Sequence, residues 1–517
     1  MRFKPFLAAG PLLALTLSAA AESVLAPPLR LSEEVLEWSA VQARFIAPAP
    51  DREALEDLPL LSPDARLAGI EVLRRLAAQG RAGGLAGVVY DNRDRGHSHL
   101  DVRAFPQLTP VLYDESLRAA DLDNGIAGPI LFRAPVIGNS STAVTSGPAP
   151  RSLGRLAMTV GPGPFRAWQG YASNHLYVYP AHRDHGEIDL FPANWPYMVL
   201  SQGSSYSDRP FVEALLLTLA SFSPETRGRL EASRLVAPTL QMILRRTQAG
   251  IYGRASYLSG AAHPTVFSHD RLQPERMAAM AGAMEPDDIP PLVVLRVEEE
   301  TFHTRAGLAD LSERLFDTPA AIARIWRGWE VEKEMVVSAA GTRDPNGREV
   351  AFDWVLLRGD PEHVRITPLD DRGARARVVI GWHERRPVML RAEQLGDRVD
   401  IGVFTRNGVH DSAPAFVSVS FPAHERRAFE TGPDGMQRLA AVDYDAIGRG
   451  QSFDSVLHWS APWRDVFAHD ARGRITGWTR HHAEGQREVF GAVVTGTRHR
   501  VVRIPDRPSV LEFIDPE

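Results

Sequence analysis

The densest group of titratable side chains in this sequence is His182-Arg183-Asp184-His185-Gly186-Glu187-Ile188-Asp189. Imidazoles and carboxylates at this spacing are the donor types that hold a divalent metal ion. If the segment is extended, His185, Glu187 and Asp189 share one face. Asp184 then orients a neighbouring imidazole, as most histidine ligands require. Alternatively, it sets the tautomer of His185 acting as a base. An earlier stretch, Gly96-His97-Ser98-His99-Leu100-Asp101, puts His97, His99 and Asp101 on one face by the same alternation. The expectation is one divalent ion (zinc, manganese or calcium) on His182, His185 and Glu187, joined by His97 and His99. One position would stay open for a reactive water. Tyr177, Tyr179 and Trp168 would line a sugar-binding surface nearby.

Ser201-Gln202-Gly203-Ser204-Ser205-Tyr206-Ser207-Asp208 suggests another chemistry. It follows an apolar run and precedes a helical pattern. Gly203-x-Ser205-x-Ser207 has the form of a nucleophile elbow built on Ser205, with serine in the last slot where glycine is usual. The plainer reading, and the favoured one, is a helix cap on Ser207 or Asp208 with Gly203 making the turn. Gly138-Asn139-Ser140-Ser141-Thr142 reads as a polar loop whose hydroxyls are free to meet a ligand.

The elements that must position these residues are mixed. Helical spacing of apolar residues runs over Glu34–Phe45 and Ala65–Ala78. Apolar runs at 85–90, 129–132, 156–160, 176–179 and 197–200 read as strands. Helices follow over Asp208–Ser221, from Ser223-Pro224, over Pro238–Arg246 and over Pro274–Met284. Thr318-Pro319 looks like a cap and first turn opening a helix through Trp329.

Beyond about Val331 short alternating runs dominate, as in Val350, Phe352, Trp354 and Leu356, which is the pattern of a β-sandwich. The segment Thr342-Arg343-Asp344-Pro345-Asn346-Gly347-Arg348-Glu349-Val350-Ala351-Phe352-Asp353-Trp354 resembles the Asp-Pro-x-Gly turn and following strand of PKD and cadherin-like modules. That resemblance covers about 330–425 and implies an immunoglobulin-type sandwich serving as an extracellular spacer or binding module. It implies no calcium, since the cadherin calcium motifs do not follow. The N-terminal region resembles no family of known function. Asp470-Ala471-Arg472-Gly473 marks a hairpin turn further on.

The fold class is therefore multidomain α+β. Residues 1–21 are expected to be a signal peptide and 22–330 a mixed α/β catalytic or ligand-binding region. Residues 331–425 are expected to form an immunoglobulin-like sandwich and 426–517 a small β domain. Arg2, Lys4, a short apolar run and Ala19-Ala20-Ala21 carry the signal reading, which implies export to the periplasm or beyond. No later run is long enough for a membrane span.

The chain of 517 residues has no cysteine, which excludes disulfides, thiolate chemistry, iron–sulfur clusters and thioether-held haem. Its two lysines, Lys4 and Lys333, leave no Walker lysine, and no pyridoxal cofactor is expected. Gly161-Pro162-Gly163-Pro164 is a rigid turn and no dinucleotide loop. A net charge of −6 gives no basic excess for nucleic acid. The expected function is a secreted hydrolase or lyase acting on an extracellular polymer, an ester or a small molecule. The alternatives are a non-catalytic surface or binding protein and a serine hydrolase using Ser205.

Overall fold

The computed structural model describes residues 25–144, 161–182, 188–189, 191–308, 310–389, 391–422, 425–444, 458–459, 463–491, 499–502 and 510–513. Its N-terminal part is built on an all-parallel sheet of six strands: β1 (Leu29–Leu31), β2 (Val89–Asn92), β3 (Thr109–Tyr113), β4 (Val136–Asn139), β5 (His175–Pro180) and β6 (Met198–Ser201). Their order in the sheet is β1-β3-β2-β4-β5-β6. Residues of β4, β5 and β6 are buried throughout, because crossover helices cover both faces of a parallel sheet. Those helices include α1 (Ile70–Ala78), α2 (Gly163–Tyr171), α3 (Arg209–Ser221), α4 (Pro224–Ser233), α5 (Val236–Thr247) and α6 (Pro274–Ala283). The Ser223 hydroxyl accepts from the Thr226 amide and caps α4 as expected.

Close approach of strands at the centre of the sheet depends on Gly138. A Cβ there would meet the Asp91 carbonyl oxygen at 2.4 Å and the Tyr177 ring at 2.6 Å. Gly138→Ala should therefore cost roughly 3 kcal/mol. A urea melt with an unmoved midpoint would contradict this.

Two expected helices are strands. Glu34–Phe45 forms a hairpin of Glu37–Ser39 with Arg44–Ala47, and its second strand pairs in parallel with Ile130–Phe132. Of the apolar face that suggested a helix only Phe45 packs against the core, since Trp38 is 56% and Val41 97% exposed. Residues after Thr318-Pro319 form Ala321–Ile325, buried at every position between Arg314–Thr318 and Ala415–Ser420. Pairing on both sides outweighs local helix signals here.

That strand belongs to a two-sheet sandwich. One sheet runs Arg296–Glu300, Glu332–Ser338, Arg375–Gly381, Val364–Pro368. The other runs Arg314–Thr318, Ala321–Ile325, Ala415–Ser420, Arg398–Arg406, Ala351–Arg358. The sandwich thus begins near Arg296, and the expected division between 330 and 331 cuts through it. The Asp344–Gly347 turn forms as expected, with the Gly347 amide donating to the Asp344 carbonyl at 3.1 Å. Trp354 is half-buried, and its Nε1 donates to the Gly373 carbonyl at 2.7 Å.

Beyond the sandwich, five antiparallel strands from Arg426–Thr431 to Arg487–Gly491 form a further sheet over Trp463, Phe467, Trp478 and Phe490. The turn at Asp470–Gly473 joins two of them. Residues 1–24, which carry the expected signal, lie outside the described residues. Among the described residues no helix is long and apolar enough to cross a membrane.

Candidate functional site

The strand order fixes where a site belongs. The chain leaves β2 for β3 on one side, then places β4 on the other side of β2. Loops leaving β2 and β4 therefore diverge and open a crevice at their carboxyl ends, the usual ligand position in such sheets. The two loops meet there: the Ser141 hydroxyl lies 2.7 and 2.8 Å from the two Asp94 carboxylate oxygens.

Asp208, entering α3 from β6, joins them. Its carboxylate is fully buried and accepts from the Ser98 hydroxyl at 2.6 Å and the Asn139 amide at 2.5 Å. Asn139 also donates to the Ser98 carbonyl and accepts from the Tyr90 hydroxyl. The Tyr206 amide donates to the Ser98 hydroxyl. Burial raises the Asp94 pKa, against its hydrogen bonds from Ser141, and the Asp208 charge adds to the rise.

Two imidazoles share this space. The His97 Nδ1 lies 4.0 Å from Asp94, and its ring packs 5.5 Å from that of Tyr206. Burial holds His182 below the ordinary histidine range, opposed by the Pro180 carbonyl and by the charges of Asp94 and Asp208. Its Nδ1 is buried without a well-formed hydrogen bond among the described residues. Ser98, His182 and Tyr206 all have left-handed backbones, with φ of 54°, 49° and 72°. Such conformations are costly for non-glycine residues and concentrate at functional sites.

A buried polar plate supports the crevice from below. The Asp91 carboxylate accepts from Tyr113 OH at 2.7 Å, Tyr177 OH at 2.6 Å and Arg93 Nε at 2.6 Å. Burial works against the Arg93 charge, but Asp91 and the two tyrosines hold its pKa well above the ordinary value. This plate fixes the backbone that carries Asp94: the Arg93 amide donates to the Asn139 carbonyl, and the Ser140 hydroxyl to the Arg93 carbonyl.

Of the residues expected from sequence, His97 and His182 are brought to this end of the sheet. His99 is exposed, with its Nδ1 3.1 Å from the Gly96 carbonyl. Asp101 caps a short 3-10 turn and pairs with Arg103. The left-handed Ser98 breaks the alternation that would have put His97, His99 and Asp101 on one face. Asp184, His185 and Glu187 lie outside the described residues. Among the described residues no three His, Asp or Glu side chains are placed to hold a metal ion.

Ser205 sits on the turn between β6 and α3, half-buried, with no hydrogen bond to a described histidine. The expected cap is absent: Asp208 makes no side-chain bond to the helix, and the Ser207 hydroxyl lies 3.0 Å from that of Ser201. The carboxylate that would cap α3 is committed to Ser98 and Asn139. Tyr177 and Tyr179 are buried, and Trp168 packs on Tyr171 and Tyr197, so they form no open sugar-binding surface.

No family model matches the chain, and no curated protein matches it. A nucleoside hydrolase-related hypothetical protein from Saccharophagus degradans, associated with carbohydrate metabolism, aligns over 56% of this chain and 71% of its own at 12% identity and a TM-score of 0.19. The Escherichia coli adhesin FdeC aligns over 43% of this chain and 63% of its own at 9% identity and a TM-score of 0.14. The fold assignment rests on the sheets themselves, since likenesses this low carry no argument.

Proposed function

We propose that this chain is a hydrolase working at the crevice between the β2 and β4 loops, and that it cleaves glycosidic bonds in an extracellular polymer or a sugar-containing small molecule. The observation that carries the reading is the pair Asp94 and Asp208, two shielded carboxylates with no described arginine or lysine opposite them. Buried charge without a partner is costly and draws a proton or cation. A field of this sign favours a transition state that gains positive charge, as glycosidic cleavage does. An acyl transfer would instead need convergent donors for an oxyanion. In this reading Asp94, raised by burial, delivers a proton to the leaving oxygen. His182, uncharged at neutral pH, takes one from the attacking water. Asp208 supplies negative field and holds Ser98 and Asn139 in place.

Export through residues 1–21 to the periplasm or beyond belongs to the same proposal, as does a PKD- or cadherin-like spacer role for the sandwich. A divalent ion on His182, His185 and Glu187, with His97 nearby, is a second reading. The two carboxylates without an arginine or lysine opposite them, and the buried His182 Nδ1 without a well-formed hydrogen bond among the described residues, favour it. Elemental analysis of protein expressed with zinc, manganese or calcium tests it, and sub-stoichiometric metal in every case removes it.

The main test is turnover of a panel of aryl glycosides. Asp94→Asn and His182→Ala should each lower kcat/KM at least about 100-fold with little change in melting temperature. Undiminished turnover in both variants would remove the proposal. Phosphonate labelling of Ser205 with ester turnover would install the serine hydrolase instead. A wild type inert towards both panels would favour the non-catalytic binding protein.

A further inference from the structure

A small cavity lies at the amino end of the parallel sheet, away from the crevice. It is walled by Arg44 of the hairpin, by Arg166 and Tyr171 of α2, and by His175 and Met198, the first residues of β5 and β6. Its free volume is about 20 Å³, room for one particle near the size of a water molecule.

The charges around it are all of one sign. Arg44 is 3% exposed, and its terminal nitrogens donate to the carbonyls of Arg166, Gly128 and Ile130 at 2.9, 2.6 and 2.9 Å. Carbonyl dipoles solvate the guanidinium but leave its net charge in place. Its Nε is buried with no hydrogen-bond partner among the described residues. The half-buried Arg166 side chain has no described hydrogen-bond or ion-pair partner, and burial alone lowers its pKa. A third guanidinium, that of Arg93, lies over the Tyr177 ring at 5.6 Å but is paired with Asp91. Burial lowers the Arg44 pKa to about 9, and the charges of Arg93 and Arg166 push the same way. Arg44 therefore stays a cation at neutral pH.

Nothing else on the walls offsets this charge. Among the described residues no aspartate or glutamate lines the cavity. Burial raises the pKa of Tyr171, Tyr177 and Tyr197, so none supplies a phenolate. The Tyr177 hydroxyl is committed to Asp91, and the Tyr197 hydroxyl lies 2.6 Å from that of Thr318. His175, held neutral by burial, adds no charge of either sign.

A buried cation without a counter-charge is costly and draws an anion. The space admits a single atom and excludes phosphate, sulfate and carboxylates. We propose that this cavity binds one small monovalent anion, chloride in ordinary media, between the guanidinium groups of Arg44 and Arg166. The anion offsets the repulsion between the two arginines and ties α2 to the Arg44–Ala47 strand. The site is separate from the crevice and does not depend on the hydrolase reading.

The full chain should be melted in sodium gluconate progressively replaced by sodium chloride at constant ionic strength, since gluconate is too large to enter. The expected result is a saturable rise in melting temperature of at least about 2 °C. The rise should vanish in Arg44→Met. Arg166→Gln carries the same expectation should Arg44→Met fail to fold. Crystals grown in bromide should show one anomalous peak between the two guanidinium groups. The proposal is overturned by a melting temperature that ignores the exchange, by an equal rise in folded Arg44→Met, or by a cavity that holds only water in bromide.

Discussion

Glu313→Ala should lower the stability of the sandwich by about 3–5 kcal/mol, one of the largest single-residue effects in the chain. Glu313 and Lys333 are both fully buried, with the Lys333 Nζ 2.7 Å from the Glu313 carboxylate. The same carboxylate accepts from the backbone amides of His303, Arg327 and Gly328 at 2.8, 2.9 and 2.8 Å. Removing it strands a buried ammonium and three amides at once, with only the half-exposed Glu330 and the Thr301 carbonyl left for the lysine. Joint replacement by Glu313→Gln and Lys333→Met should recover part of the loss, because it removes the buried charge on both sides. Urea midpoints measure this directly. A single variant as stable as the wild type would contradict the assignment.

Acid should destabilise the N-terminal part as pH falls through the ordinary histidine range. Burial, reinforced by the Arg44 charge, lowers the His175 pKa to about 3, against a hydrogen bond to the Phe132 carbonyl. Burial, with the Arg245 charge, drives His263 well below its ordinary value. An unfolded histidine takes a proton near pH 6.5, which neither folded residue accepts. Their stabilising contribution is thus complete above that pH and lost as pH falls from about 6.5 towards the folded values. Between pH 7 and 5 His175 should cost about 2 kcal/mol, and His263 acts in the same direction. Asp397 works the other way. Burial, with the Asp189 charge, raises it to about 6 despite Arg385, so its folded form gains a proton over this window. It returns roughly 1 kcal/mol, too little to cancel the histidines. Melting temperature should therefore fall steadily from pH 7 to 5, and His175→Phe should make that fall shallower. A flat profile would refute the account.

Periodicity alone exposed much of this fold. Helices α3 to α6 appear where apolar spacing and proline at the first turn place them, because their apolar faces meet a core. The Glu34–Phe45 stretch has the same spacing but meets the core only through Phe45, and nothing in the sequence reveals that. The strand at Ala321–Ile325 was hidden because its partners lie on both sides, one of them nearly a hundred residues away. The site was half-legible. His97 and His182 stood out by residue type, and Asn139 to Ser141 as a polar loop. Asp94 did not, although Asp91-Asn92-Arg93-Asp94 directly after a buried apolar run is the available signal. Ser207 and Asp208 look like a cap in sequence, since local sequence does not reveal that the Asp208 carboxylate bonds to Ser98, 110 residues away.

The sandwich also reaches the short strand at Ile188–Asp189. Ile188–Asp189 pairs in parallel with Arg391–Gly396 of a sandwich hairpin, and the Asp189 carboxylate meets both Arg358 and Arg398. Just beyond it, Ser418 and Ser420 hydrogen-bond to Asn194 and Pro192. Shuffling the β module on or off the N-terminal part is therefore closed to this chain. A cut near Arg296 would leave Ile188–Asp189 without its partner strand and Asp189 without its cations. The two units are bound to be inherited together, and exchange of one requires co-adaptation of the seam at 188–194.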